Sequence, residues 1–112
     1  MRIPLRTVAG LAVLAAASAL SLPALAQSAG NGTLARNLAA TCANCHGTNG
    51  QAIGDMKPLA GTPAARTVAL MTYYKATAKP DGVTIMHQIA KGYTDEQIKL
   101  IADHFAAQPA KK

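Results

Sequence analysis

An all-α fold is predicted by three observations. Small and apolar residues recur three and four apart in separate stretches, at Leu34, Leu38, Ala39 and Cys42, at Ala65, Val68, Ala69 and Ala76, and at Ile98, Ile101, Ala102 and Phe105. No strand-like alternation competes with that spacing, and no internal repeat is visible. The length allows one domain built from four or so short helices: the chain has 112 residues, and the first 26 read as removable, which leaves 86.

The N-terminus has the pattern of an export signal. Arg2 and Arg6 form a positive start, Val8 to Leu20 is a run of 13 residues without charge, and Ala24-Leu25-Ala26 offers small residues where a signal peptidase reads them. Cleavage after Ala26 is expected, giving a mature domain over residues 27–112. A retained membrane anchor is the competing reading, but Pro23 and the alanine-rich, weakly apolar run argue against it. No second apolar run follows, so no membrane span is expected once the signal is gone. The expected compartment is a bacterial periplasm. Loss of Arg2 and Arg6 takes the formal charge from +6 to +4.

The mature chain divides in order. Ser28 to Gly32 is a small polar lead-in, and Thr33 is placed to cap the first helix. Gly47 to Thr62 is predicted as loop, broken by Gly47, Gly50, Gly54, Gly61 and Pro58. Pro63 suits the first turn of the second helix. Lys79-Pro80-Asp81-Gly82 is a turn, and a short helical segment over Val83 to Ala90 stops at Gly92. The last helix has the fullest signature. Thr94 and Gln97 have capping-box spacing, Asp95 and Glu96 suit the positive helix end, and Pro109 terminates it.

A chain this short buries a limited share of its surface. The shortage is sharpened here by one Phe, three Tyr and no Trp. Composition therefore disfavours an enzyme with a self-sufficient catalytic cleft and points to a core filled by something other than side chains. A disulfide framework is excluded, because the chain has two cysteines only three positions apart.

Those cysteines belong to Cys42-Ala43-Asn44-Cys45-His46, a C-x-x-C-H sequence, which is the attachment motif of haem c. Two thiols three apart on a helical turn reach the two vinyl groups on one porphyrin edge. The next residue, His46, then projects its imidazole over the ring toward iron. Both thiols become thioethers, and the haem becomes the missing core. Zinc would need two separated ligand pairs, and a second C-x-x-C is missing. A thioredoxin-like redox pair would need a βαβ setting. A local Cys42–Cys45 disulfide would do little for the core.

Met86 is the favoured second axial ligand. It lies between a turn and the last helix, where the chain returns over the opposite haem face. His87 is the local rival, expected to face away because adjacent helical residues point about 100° apart. Met56 lies in the loop after the motif, Met71 reads as a core side chain, and His104 as a packed helix histidine.

From Thr41 to Gln108 the chain resembles a small class I cytochrome c. The residues that carry the resemblance are Cys42, Cys45, His46, Pro58 twelve positions after His46, and Met86. It implies a helical wrap around one covalent haem, with crossing terminal helices. It also implies that the Pro58 carbonyl holds the proximal imidazole, which places that segment on the proximal side and counts against Met56. The block Met86 to Glu96, preceded by Met71-Thr72-Tyr73-Tyr74-Lys75, is similar to the cytochrome subunit of flavocytochrome c sulfide dehydrogenase. That likeness implies a flavoprotein partner that oxidises sulfide. Many such subunits carry two haem domains, whereas this chain has one C-x-x-C-H.

The function expected is electron transfer, not enzymatic catalysis. Histidine and methionine saturate the iron, so no substrate binds there, and a thioether ligand raises the potential. The chain is then either a subunit of a flavoprotein dehydrogenase or a freely diffusible carrier. A haem protein with an open sixth site, and a haem-free binding module, are the other classes. Lys57, Lys75, Lys79, Lys91 and Lys99 are spread along the chain. They suit solvated faces or the steering of an acidic redox partner, not a nucleic-acid surface.

Overall fold

The computed structural model describes residues 22–110. Most of the expected export signal (residues 1–26) and the Lys111-Lys112 tail lie outside them, so cleavage after Ala26 is not addressed by the fold. Five α-helices follow in order: α1 (Leu22–Ala40), α2 (Ala43–His46), α3 (Ala64–Ala76), α4 (Met86–Ile89) and α5 (Asp95–Ala106). Two 3-10 turns, Thr48–Gly50 and Ala90–Gly92, follow α2 and α4. Among the described residues there is no strand, and the all-α expectation holds. No helix among them is long and apolar enough to cross a membrane.

Helix α5 forms as expected. Thr94 Oγ1 accepts from Gln97 N–H at 3.2 Å, and Thr94 N–H donates to Gln97 Oε1 at 2.9 Å, which completes the capping box. Asp95 and Glu96 sit in its first turn, against the positive helix end. Ile98, Ile101, Ala102 and Phe105 form its buried stripe. Phe105 and Ile98 are the largest side chains that are fully buried. Burial of each is worth about 1.5–3 kcal/mol.

That stripe serves two apolar clusters. Ile101 and Phe105 pack with Ala39 of α1, joined by Leu38, Cys42, Leu59 and Tyr93. Ile98 packs with Met71 of α3 and Ala90, joined by Val68, Tyr74, Met86 and Tyr93. Tyr93 belongs to both. The α3–α5 contact carries one surface ion pair, Lys75 Nζ to Asp95 Oδ1 at 2.8 Å, which contributes little beside the burial.

The structure differs from the sequence expectation at two helix starts and in the buried face of α1. Helix α1 begins at Leu22 instead of at a Thr33 cap, because the alanine-rich segment upstream carries the helical path across Gly30 and Gly32. Its buried stripe is Ala35 and Ala39, with Leu34 exposed, so the interface selects small residues that let α1 approach α5 closely. The distal segment is helical from Met86 only, since Val83, Thr84 and Ile85 form irregular backbone after Gly82 at φ +69°. The second helix and the last helix keep their expected ranges to within a residue.

One loop position is closed to any side chain. Gly50 has φ +74°, and a Cβ there would meet Ala60 N and Phe105 Cδ1, both at 2.8 Å. Its carbonyl accepts from the N–H groups of Leu59 and Ala60 at 2.9 and 3.0 Å, which folds the loop back on itself. Gly50→Ala is therefore expected to destabilise the haem-loaded protein by about 2–4 kcal/mol, combining positive-φ strain with overpacking. Guanidinium unfolding followed by helical circular dichroism measures it.

Candidate haem site

The C-x-x-C-H turn follows α1 directly. Cys42 N–H donates to Ala39 carbonyl at 3.1 Å, and His46 N–H to Cys42 carbonyl at 2.9 Å, so the motif coils into α2. Cys42 is half-buried and Cys45 exposed, and the two thiols are not bonded to each other. Burial pushes the Cys42 thiol above its ordinary value, against a lowering from the Thr41 side chain. Among the described residues no three His, Cys, Asp or Glu side chains cluster in a way that could hold a metal ion.

His46 is held from outside. Its Nδ1 lies 2.8 Å from the Lys57 carbonyl. A carbonyl only accepts, so Nδ1 carries the proton and Nε2 keeps the lone pair that a metal requires. A ligating histidine is commonly held in this way, its other ring N–H donating to a carbonyl. The acceptor differs from expectation: the carbonyl is that of Lys57, not of Pro58. A proline restricts the residue before it to extended backbone, so Pro58 acts by fixing its neighbour's carbonyl. Sequence reasoning missed Lys57, although this restriction at X-Pro was a signal for it.

Met86 is half-buried and touches the cluster of Met71, Ala90 and Ile98. Met71 is the core side chain expected, and Met56 is exposed on the His46 side, one residue from Lys57. His87 is buried while its neighbour Met86 is not, so the two occupy different surroundings. His104 lies on α5, its ring 5.3 Å from that of Phe105 and edge-on to it.

Two observations show that these residues fit a haem. The loop after the motif and the segment around Met86 leave large apolar side chains in solvent, with Ile53 83% and Ile85 51% exposed, joined by Met56 and Ile89. Haem c would cover apolar surface of this kind. Second, Thr67 Oγ1 and His87 Nδ1 are buried without a hydrogen-bond partner, one on α3 and one on α4. Buried polar atoms left unmatched by protein mark a place that protein alone does not complete.

The sequence model of the Cytochrome c family matches residues 33–107, which span every element of this site. The chain belongs to the cytochrome c family. A cytochrome c holds haem c covalently and acts as an electron carrier, not as an enzyme. The chain is 36% identical over 69 residues to the cytochrome subunit of sulfide dehydrogenase of Chlorobaculum tepidum, covering 61% of this chain and 60% of that protein. It is 33% identical over 66 residues to cytochrome c-552 of Acidithiobacillus ferridurans, covering 59% of this chain and 28% of that protein. It is 30% identical over 82 residues to cytochrome c-554(548) of Halomonas halodenitrificans, covering 71% of this chain and 99% of that protein. The chain thus spans less than two thirds of the first two relatives.

Covalent haem has a direct check. The mature cytochrome is expected to keep its haem through a denaturing gel, shown by haem peroxidase staining, and to resist extraction into acid acetone. The Cys42→Ala/Cys45→Ala double variant is expected to lose the stain.

Proposed function

We propose that this cytochrome is exported to the periplasm after cleavage at Ala26, with Cys42 and Cys45 as the thioether attachments, His46 as proximal ligand and Met86 as distal ligand. The observation that carries the reading is the His46 Nδ1–Lys57 carbonyl bond of 2.8 Å. It leaves Nε2 as the ring nitrogen that would bind iron in the C-x-x-C-H motif.

Bound haem c supplies a one-electron ferric–ferrous couple. The chain's residues tune and protect it. The Lys57 carbonyl makes the His46 imidazole a stronger donor, which favours the ferric state. The Met86 thioether, as the second ligand, would favour the ferrous state and raise the potential. With His46 and Met86 both holding the iron, no coordination place would be left for a substrate.

The electron donor proposed is a flavoprotein that oxidises sulfide. The relative from Chlorobaculum tepidum is named as the cytochrome subunit of sulfide dehydrogenase, and the resemblance of the block Met86 to Glu96 to the flavocytochrome c family supports the same role. Tyr93 and Thr94 stand at the turn after Met86, where a docked partner would meet the chain. The exposed Lys57, Lys79 and Lys91 would steer an acidic partner toward it. A diffusible carrier is the second reading, favoured by the match over nearly the whole of the small Halomonas cytochrome.

Met86→Ala is expected to abolish the weak methionine-to-ferric-iron charge-transfer band, to lower the potential, and to let cyanide or carbon monoxide bind. Met71→Ala and Met56→Ala are expected to do none of these, and the reverse pattern would move the ligand to Met71. Pulldown from native periplasm followed by flavin analysis, with sulfide-dependent haem reduction, separates a dedicated subunit from a carrier. A subunit co-purifies at moderate salt, because an apolar patch carries its affinity. A carrier is recovered alone.

A further inference from the structure

The segment that carries Met86 is weakly held at its upstream end. Helix α4 has four residues, and its N-cap residue Ile85 makes no side-chain cap. The stretch between α3 and α4 is irregular, and a helix of one turn has no stability of its own. Its position is set by packing on α3, where Met86 joins the Met71 cluster and His87 is buried, and from downstream, where Ala90 is fully buried and the chain enters α5 through Tyr93 and the Thr94 cap.

At that downstream end one side-chain bond crosses to the motif. Tyr93 OH and Thr41 Oγ1 lie 2.7 Å apart, 52 positions distant in sequence. Thr41 immediately precedes Cys42, and Tyr93 immediately follows the Ala90–Gly92 turn. Thr41 Oγ1 also donates to the Leu38 carbonyl at 3.1 Å. A hydroxyl has one proton, so Thr41 is the acceptor from Tyr93, and the chain of bonds runs from Tyr93 through Thr41 into the last turn of α1. The Tyr93 ring touches both apolar clusters, so its hydroxyl sits at the seam between them.

We propose that the Tyr93–Thr41 hydrogen bond is a clasp that holds the Met86–Gly92 segment against the Cys42–His46 turn and so retains Met86 on ferric iron. The inference rests on the assignment of Met86 above. Tyr93 and Thr41 are positioning residues: neither touches the metal, and they act by limiting how often the segment swings away. An added ligand competes for iron only in the swung-out state. Its apparent affinity is therefore its intrinsic affinity scaled by the fraction of molecules that are open.

The test uses the full haem-loaded protein, oxidised, with imidazole as the competing probe and Met86→Ala as the fully open reference. Tyr93→Phe keeps the ring in both clusters and removes only the hydroxyl. Thr41→Val keeps the shape at the other partner. Each is expected to tighten imidazole binding by roughly three- to tenfold, the factor of one neutral hydrogen bond. Thr41→Ser is expected to restore the parent value, and the double variant to go no further than either single one. Should Tyr93→Phe fail to fold, Thr41→Val tests the same bond. Unchanged imidazole affinity in both variants beside a lowered thermal midpoint overturns the clasp and leaves the pair as ordinary packing. A parent protein that lacks the methionine band and binds imidazole as tightly as Met86→Ala overturns the Met86 assignment and the clasp with it.

Discussion

Helix α5 sets the spacing of the whole site. Its N-terminal end holds the distal segment: Thr94 caps it, Tyr93 leads into it, and Ile98 packs on Met71 and Ala90. Its C-terminal end holds the loop on the His46 side. Phe105 closes over Gly50, the Phe105 carbonyl accepts from Gly61 N–H at 2.9 Å, and Gln51 Nε2 donates to the Pro109 carbonyl. The two walls therefore hang from opposite ends of one helix of 12 residues. At about 1.5 Å per residue such a helix is about 18 Å long and does not stretch. Both segments are therefore anchored to one rigid element.

This also explains why so few large residues suffice. Apart from Phe105, Ile98, Ile101 and Met71, the buried apolar positions are alanines. Alanine lets helices approach but fills little volume, so neither cluster closes the space between the walls. A covalent haem supplies that volume and cannot leave. A chain with a larger core of its own would have no room for it. Poverty of side-chain core and possession of the haem are thus one property of this sequence.

The sequence disclosed most where local chemistry decides structure. Thr94 and Gln97 predict the cap that forms, and the stripe from Ile98 to Phe105 predicts the residues that are buried. The C-x-x-C-H motif named its cofactor because its spacing is itself the constraint. Less was legible where distant segments decide. The acceptor for His46 is a main-chain carbonyl, and a carbonyl has no residue type to read, so Pro58 stood out and Lys57 did not. The Thr41–Tyr93 bond spans 52 positions and joins two residues that each have an ordinary local role. The apolar spacing of Leu34, Leu38, Ala39 and Cys42 marks a helix, but it does not tell that the tight α1–α5 approach buries Ala35 and Ala39 and leaves Leu34 exposed.

A carrier gains from walls that do not move when its charge changes, since every rearrangement adds to the barrier of each transfer. The proximal wall meets that demand by main-chain bonds. His46 is bonded to Lys57, and the Ala52 N–H to His46 carbonyl bond of 2.8 Å ties the same residue to the start of the loop. The Met86 segment has fewer main-chain bonds between Thr77 and Ile85, Val83 N–H to Pro80 carbonyl at 3.3 Å being one, and it relies on packing of Met86 on Met71, on buried His87 and Ala90, and on Tyr93. The two sides are therefore unequal by construction. The His46 side is the rigid one, fixed by backbone geometry that few substitutions reach. The Met86 segment is the more adjustable one, held by a few side chains, and substitutions there change its placement with less cost to the fold.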